Sequence, residues 1–434
     1  MEREKFGSRF AVIMAMAGSA IGLGNIWRFP YMVGENGGTA FIVVYLLCCL
    51  FLSLPVFFCE SILGRSTRTD TAGALRKFLP GWRARLIGLV PVLTAFCLLS
   101  FYSVVGGWSA DYFYRSCFTG FEGLSTEAAT SLFEGMSSSV WEPVLGHTVF
   151  LLLTALIVLA GVEKGIGRFS KFTMPVLFIT MALILWRSVT LPGASAGIEY
   201  LFRPDFSQLT GRSVASALGQ SFFSMSLGVG VILTYSSYMK NDENILASGG
   251  WTALFDTLFA LIAGLAIMPA VFSAGIRPEA GPSLVFETLP VIFSGIGPLV
   301  PILFFASILI AALSSSISVF EVCVAFLVEH KGLSRKAATW LVFAFAWILG
   351  VACAVGPAVF SFCDHLTSNY LMIFCALVFT MMVGWKMKKE EVRSVVTNGG
   401  RLRAGRILFP ALWFLIRYVA PVAIAAIFLS NFLL

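Results

Sequence analysis

Four stretches of this chain place polar or conformationally loose residues inside runs that are otherwise apolar. The first is Ala17-Gly18-Ser19-Ala20-Ile21-Gly22-Leu23-Gly24-Asn25-Ile26-Trp27-Arg28-Phe29-Pro30. Gly22 and Gly24 weaken a helix that lipid would otherwise keep continuous, because each unpaired backbone group in a bilayer costs several kcal/mol. Non-helical backbone at that depth is tolerated where it lines a protein cavity, and its freed carbonyls can hold a cation. Ser224-Met225-Ser226-Leu227-Gly228-Val229-Gly230 repeats the pattern with a second Gly-x-Gly core. Ala311-Ala312-Leu313-Ser314-Ser315-Ser316 offers hydroxyls suited to a hard ion. Asp256, in Leu254-Phe255-Asp256-Thr257, is a carboxylate deep in an apolar run, and ionisable groups so placed are functional hypotheses by default. The plainer readings are that glycines permit close helix packing and that serines bond back within their own helix. Two matched breaks together favour a site for an ion and a small ligand.

The elements that must carry these residues are membrane helices. Of 434 residues, 58% are hydrophobic and only 12% charged, and mean hydropathy is +0.88, whereas a soluble domain carries about a quarter charged residues. The apolar runs predict a single transmembrane domain over 1–434, all α, with about eleven spans. They fall near 10–33, 40–63, 86–116, 144–161, 170–190, 213–239, 251–275, 299–328, 337–356, 366–385 and 408–433. Spans 1 and 6, the interrupted ones, open two five-span blocks, 1–190 and 213–385. Five is odd, so the second block is expected to be inverted relative to the first, with 408–433 as an added eleventh span. Paired Gly-interrupted helices at matching places in two halves point to a transporter site.

Lys and Arg crowd alternate connections: Arg3, Lys5 and Arg9 before span 1, Arg65 to Arg85 after span 2, Lys164 to Lys171, Lys331 to Lys336, and Lys386 to Arg406. The 119–142 connection has four glutamates and no Lys or Arg. The positive-inside rule then predicts a cytoplasmic N-terminus and, with an odd span count, an external C-terminus. The net charge of +7 is read as this asymmetry and not as a nucleic-acid surface. No cleavable signal peptide is expected. Nine scattered cysteines and three distant histidines (His147, His330, His365) lack zinc spacing. Walker, His-Glu-x-x-His and Gly-x-Ser-x-Gly signatures are missing, so no enzyme is predicted.

The Gly-x-Gly-Asn-x-x-Arg-Phe-Pro of span 1 resembles the signature of the neurotransmitter:sodium symporter family, which includes a bacterial leucine transporter. Glu35-Asn36-Gly37-Gly38, Gly161-Val162-Glu163-Lys164-Gly165, Gly219-Gln220-Ser221-Phe222-Phe223 and Ser314-Ser315 follow in family order. The chain is similar to the shorter, eleven-span bacterial members. The resemblance implies one sodium held by Ala20, Asn25, Ser224, Asp256 and the substrate carboxylate. A second would be held by Gly18, Ile21, Ala311, Ser314 and Ser315. It implies that Tyr102 binds the substrate carboxylate, assisted by backbone amides around Leu23 and Gly24. Leu98, Phe223, Ser226, Val229, Ser315 and Val319 would form the side-chain pocket. Arg28 and Asp364 would be the outer gate under a Phe223 lid, and Arg3 with Glu329, near Tyr238, the inner one; the usual inner acid is Asp, so Glu329 is a departure.

Monoamine carriers of this family have Asp where this chain has Gly22, so Gly22 points to a substrate that brings its own carboxylate. The implied pocket is apolar and holds no charge. Val229 and Val319 stand where the leucine transporter has Phe and Ile, which leaves room for a bulky apolar or aromatic amino acid. Animal relatives bind chloride through groups matching Tyr45, Gln220 and Ser224, plus a Ser where this chain has Ala260, and carry Asn at the position of Asp256. A fixed carboxylate at 256 predicts chloride-independent transport, and its protonation could balance the empty return step. The expectation is sodium-coupled symport by alternating access, with probes of substrate choice left to decide among amino acids. An osmolyte or other small amino-acid carrier is the alternative, and a transporter-like sensor a more distant one. Two sodiums, each contributing about 2.3 kcal/mol per 100 mV and about 1.4 kcal/mol per tenfold gradient, would supply about 7 kcal/mol, a substrate gradient of order 10⁵. The expected location is the bacterial inner membrane, with the lipid bilayer and a small-molecule substrate as partners and oligomeric state open.

Overall fold

The computed structural model describes residues 4–79, 81–240, 242–275, 283–295 and 297–433. Among these, nine helices are long and apolar enough to cross a membrane: Thr39–Thr67, Leu86–Phe118, Trp141–Leu159, Val162–Val189, Ile245–Ser273, Leu299–Lys331, Arg335–Val355, Pro357–Lys386 and Arg403–Leu429. Span 1 is the bent pair Arg9–Ala20 and Gly24–Glu35, which meet at 57°. Span 6 is also split, into Gly211–Ser224 and Val231–Ser237. Counting each pair as one crossing gives eleven spans among the described residues. Large apolar side chains such as Leu47, Phe172, Trp186, Phe345 and Phe362 lie exposed on the outside of a bundle that is also apolar within. A soluble protein avoids such a surface, and lipid accommodates it. The protein is an all-α integral membrane protein.

The interruptions fall where the glycines lie, for local reasons. After Ala20 the backbone turns extended at Ile21 (ψ 106°). The helix then restarts at Gly24 with a wide turn closed by Phe29 N–H on the Gly24 carbonyl. In span 6 the chain takes positive φ at Ser226, Gly228 and Gly230, which two glycines adopt freely and Ser226 does not. A side chain at Gly228 would also collide with the Met372 carbonyl of span 10. Both repeats thus bend at their first helix.

Span 6 runs opposite to span 1. Phe6 N–H, at the start of span 1, donates to the carbonyl of Tyr238 at the end of span 6 (3.2 Å). The basic connections gather at that same end, where Arg65 bonds Asn398 and Glu243, and Arg335 reaches Glu4. The opposite end carries the acidic connections, tied by Tyr200 to Glu35 and Thr130 to Glu287.

Some boundaries move from those expected. Span 10 begins at Pro357 and not near 366, because Pro357 is tolerated in a first helical turn. Span 11 begins at Arg403 and not near 408, since basic residues extend a helix beyond its apolar part. Span 8 runs to Lys331 and stops at Gly332, in the left-handed conformation (φ 64°).

Candidate substrate and ion site

The two breaks face each other at the centre of the bundle and line a common cavity. Spans 3, 8 and 10 complete its wall. All eleven residues expected around the substrate line it: Ala20, Leu23, Gly24, Leu98, Tyr102, Phe223, Ser224, Ser226, Val229, Ser315 and Val319. No lining side chain is charged. The Tyr102 hydroxyl is buried beside the Ser315 hydroxyl and the Leu23 backbone. It points to the Gly22 turn, where a side-chain carbon would sit 3.7 Å from it and 3.0 Å from Ser315 Oγ. A rotatable hydroxyl at the break can donate to an acceptor that enters the cavity.

Asp256 lies beneath the span 1 break, fully buried. Asn25 Nδ2 donates to its Oδ1 (2.8 Å) and to Ser224 Oγ (3.0 Å). Ser224 Oγ lies 2.8 Å from both carboxylate oxygens, and the Tyr45 hydroxyl donates at 3.4 Å. Asn25 Oδ1 accepts from Gly22 N–H (3.1 Å), which pins the side chain to the break itself. Three expected ligands, Asn25, Ser224 and Asp256, therefore meet in one buried cluster, and Ala20 lies on the adjoining cavity wall. Gln220 Nε2 donates to the Gly24 carbonyl (3.3 Å), and Ala260 is buried in span 7.

The second oxygen cluster is built between spans 1 and 8. Ser315 Oγ donates to the carbonyls of Ser19 (3.2 Å) and Ile21 (3.5 Å). Ser314 Oγ bonds back to the carbonyls of Ile310 (2.9 Å) and Ala311 (3.1 Å). A side-chain carbon at Gly18 would stand 3.3 Å from Ser314 Cβ, so the helices touch there. Gly18, Ile21, Ala311, Ser314 and Ser315 thus converge. Neutral oxygens at such density suit a hard cation.

The outer gate pair is not joined. Asp364 is within electrostatic range of Arg28, but no ion pair joins them. The Arg28 guanidinium instead lies over the Phe223 ring (5.6 Å to its centre), and Asp364 accepts from Ser368 (3.0 Å). With the central cavity on one side of Phe223 and Met372, a second cavity lined by Arg28 opens on the other. At the basic end, Arg3 falls outside the described residues. Glu329 Oε2 accepts from Asp70 N–H (2.8 Å). Tyr238 donates to Glu321 (2.7 Å). Glu321, fully buried, holds Arg335 by two bonds (2.6 and 3.1 Å).

Sequence reasoning missed four participants. Ser19 accepts from Ser226 (2.8 Å) as well as Ser315, joining the two breaks through its carbonyl. Met372 lines both cavities. Glu60 of span 2 is fully buried and accepts from Gly228 N–H (2.8 Å) and Leu233 N–H (3.4 Å), holding the restart of span 6. Glu321 anchors the basic end. Glu60 and Glu321 were both findable, since each is a carboxylate inside an apolar run, the signal that singled out Asp256.

Two facing helix breaks, inverted relative to each other around an apolar cavity with buried oxygen clusters, define a secondary transporter. The chain belongs to the sodium:neurotransmitter symporter family, whose model matches residues 3–129 and 129–433. It is 37% identical to the sodium-dependent transporter YhdH of Bacillus subtilis, over 98% of this chain and 97% of that one. The crystal structure of MhsT in complex with L-phenylalanine superposes with a TM-score of 0.88 at 35% identity, covering 99% of this chain and 100% of MhsT. The rat sodium- and chloride-dependent GABA transporter 2 is more distant, 27% identical over 89% of this chain and 73% of its own length. The protein is a sodium-dependent transporter and not an enzyme.

Proposed function

We propose that the protein imports a neutral apolar or aromatic amino acid with sodium, by alternating access and without chloride. The observation that carries this reading is the uncharged cavity between the breaks, apolar over most of its wall, with the buried Tyr102 hydroxyl at its polar edge. A zwitterion fits that division. Its carboxylate would take the Tyr102 hydroxyl and the amides near Leu23 and Gly24, at the start of a half-helix where the backbone dipole favours negative charge. Its side chain would lie among Leu98, Phe223, Ser226, Val229 and Val319. Gly22 leaves the space where a side-chain acid would duplicate the substrate's own charge. The likeness to a transporter solved with L-phenylalanine agrees with a bulky side chain.

In this reading Ala20, Asn25, Ser224, Asp256 and the substrate carboxylate share one sodium, and Gly18, Ile21, Ala311, Ser314 and Ser315 hold another. Ion and substrate then stabilise each other in a low-dielectric site, which is the coupling a symporter needs. Asp256 supplies within the protein a negative charge that chloride would otherwise bring. Spans 1, 2, 6 and 7 would move against 3, 4, 8 and 9, as one transport domain in a bacterial inner membrane with the basic end cytoplasmic.

Uptake of labelled amino acids into proteoliposomes tests it. Inward sodium should drive accumulation of one or a few apolar amino acids, and potassium should not. Competition only by osmolytes, or no sodium-driven uptake of any amino acid, would overturn the substrate class.

A further inference from the structure

Asp256, Glu60 and Glu321 are charges inside the bundle, and each is buried with donors around it. Arg417 is different. It lies in span 11, Arg403–Leu429, whose apolar window has a mean hydropathy of 2.1. It is half-buried at the outside of the bundle, and no carboxylate comes within 4.0 Å of it among the described residues. Its guanidinium instead rests on two rings, Trp413 (5.7 Å) and Tyr418 (5.8 Å). Trp413 is one turn back toward the start of the helix, so the side chain leans toward the basic end, the direction in which a membrane arginine reaches for headgroups.

The backbone around it is fixed by span 10. Trp385 Nε1 donates to the Arg417 carbonyl (2.9 Å). A side-chain carbon at Gly384 would stand 3.1 Å from Arg417 Cα, so the two helices meet backbone to backbone. Lys386 follows Trp385 directly and is exposed, as are Trp385 and Tyr418. The result is a cation with a planar donor fork over a buried Trp413, flanked by the exposed rings of Trp385 and Tyr418 and by the exposed Lys386 at the level where span 10 ends.

We propose that Arg417, with Lys386 and the rings of Trp385, Trp413 and Tyr418, holds the phosphate of an anionic phospholipid in the leaflet on the basic side. The guanidinium fork matches phosphate oxygens bidentately. Basic sites between membrane helices on the side of the basic loops are suited to anionic headgroups, and the rings are of the type that sits at headgroup level. Charge complementarity selects an anionic lipid over a zwitterionic one, whose own ammonium would face Lys386.

Native mass spectrometry of the full chain, purified with equal phosphatidylglycerol and phosphatidylcholine, reads the site directly and involves no transport assay. The wild type should retain phosphatidylglycerol preferentially, and Arg417→Gln should lower that retention about tenfold. Arg417→Lys should recover part of it, and Arg187→Gln at the opposite end of the bundle should change nothing. Soluble glycerol phosphate at millimolar concentration should not displace the lipid; displacement would mean that a phosphate site, not a lipid site, is present. Equal retention of both lipids, or unchanged retention in Arg417→Gln, overturns the proposal. If Arg417→Gln does not fold, the wild type still decides. Phosphatidylglycerol should raise its melting temperature more than phosphatidylcholine, an advantage that Lys386→Gln should reduce, and no such difference would contradict the proposal.

Discussion

The two oxygen clusters beside the cavity are built from opposite materials. The one around Asp256 brings a formal charge and side chains from spans 1, 2, 6 and 7, each bonded to another. The one around Ser314 and Ser315 is neutral and consists of backbone carbonyls and two hydroxyls. A cation in the first is balanced by a fixed anion. A cation in the second would be held only by dipoles, so its retention would depend on spans 1 and 8 staying in register at Gly18. Under the proposed function the difference would divide the tasks: the charged cluster would tie ion to substrate, and the neutral cluster would sense the closure of two helices.

That contrast can be broken or sharpened by substitution. The largest effect is expected from Asp256→Ala, which removes the charge and leaves Asn25 and Ser224 with lost partners; sodium-driven uptake should fall more than about 100-fold, in line with the several kcal/mol lost when one member of a buried charged cluster is removed. Uptake near the wild-type rate would end the distinction between the clusters. Tyr102→Phe should come next. Losing a hydroxyl that bonds a charged group costs about 1.5–3 kcal/mol, so the KM for substrate should rise roughly 10- to 100-fold with sodium affinity less changed. A smaller loss, about tenfold in apparent sodium affinity, is predicted for Ser315→Ala, since one neutral ligand of several is removed. Sodium titrations of uptake would show it, and an unchanged midpoint would remove Ser315 from the ion's shell. Val229→Met should act least, lowering the preference for aromatic over smaller apolar substrates by roughly tenfold while leaving the sodium midpoint in place; competition curves would show it.

Much of this arrangement was legible because a bilayer makes few exceptions. Helix breaks in lipid require a reason, so Gly22, Gly24, Gly228 and Gly230 marked the two bends and their pairing before any coordinates. Asp256 stood out for the same cause. What sequence could not supply was which polar atoms meet across distant spans. The Ser19 carbonyl joins both breaks, but a backbone oxygen leaves no mark on the residue that carries it. Tyr238 bonds Glu321, a choice fixed by which face of span 8 turns inward. The outer pair shows the same limit from another side: Arg28 and Asp364 have the charges of a gate, yet Arg28 rests on Phe223 with an open cavity outside it. Charge complementarity alone does not specify contact.

The most direct test of the division between a charged and a neutral cluster is sodium-driven uptake measured in chloride and in gluconate, on the wild type and on Asp256→Asn. The account predicts equal wild-type rates in the two anions, and an Asp256→Asn variant that works in gluconate at no more than a few per cent of wild type. Wild-type uptake that stops in gluconate, or an Asp256→Asn variant that transports equally well without chloride, would contradict it.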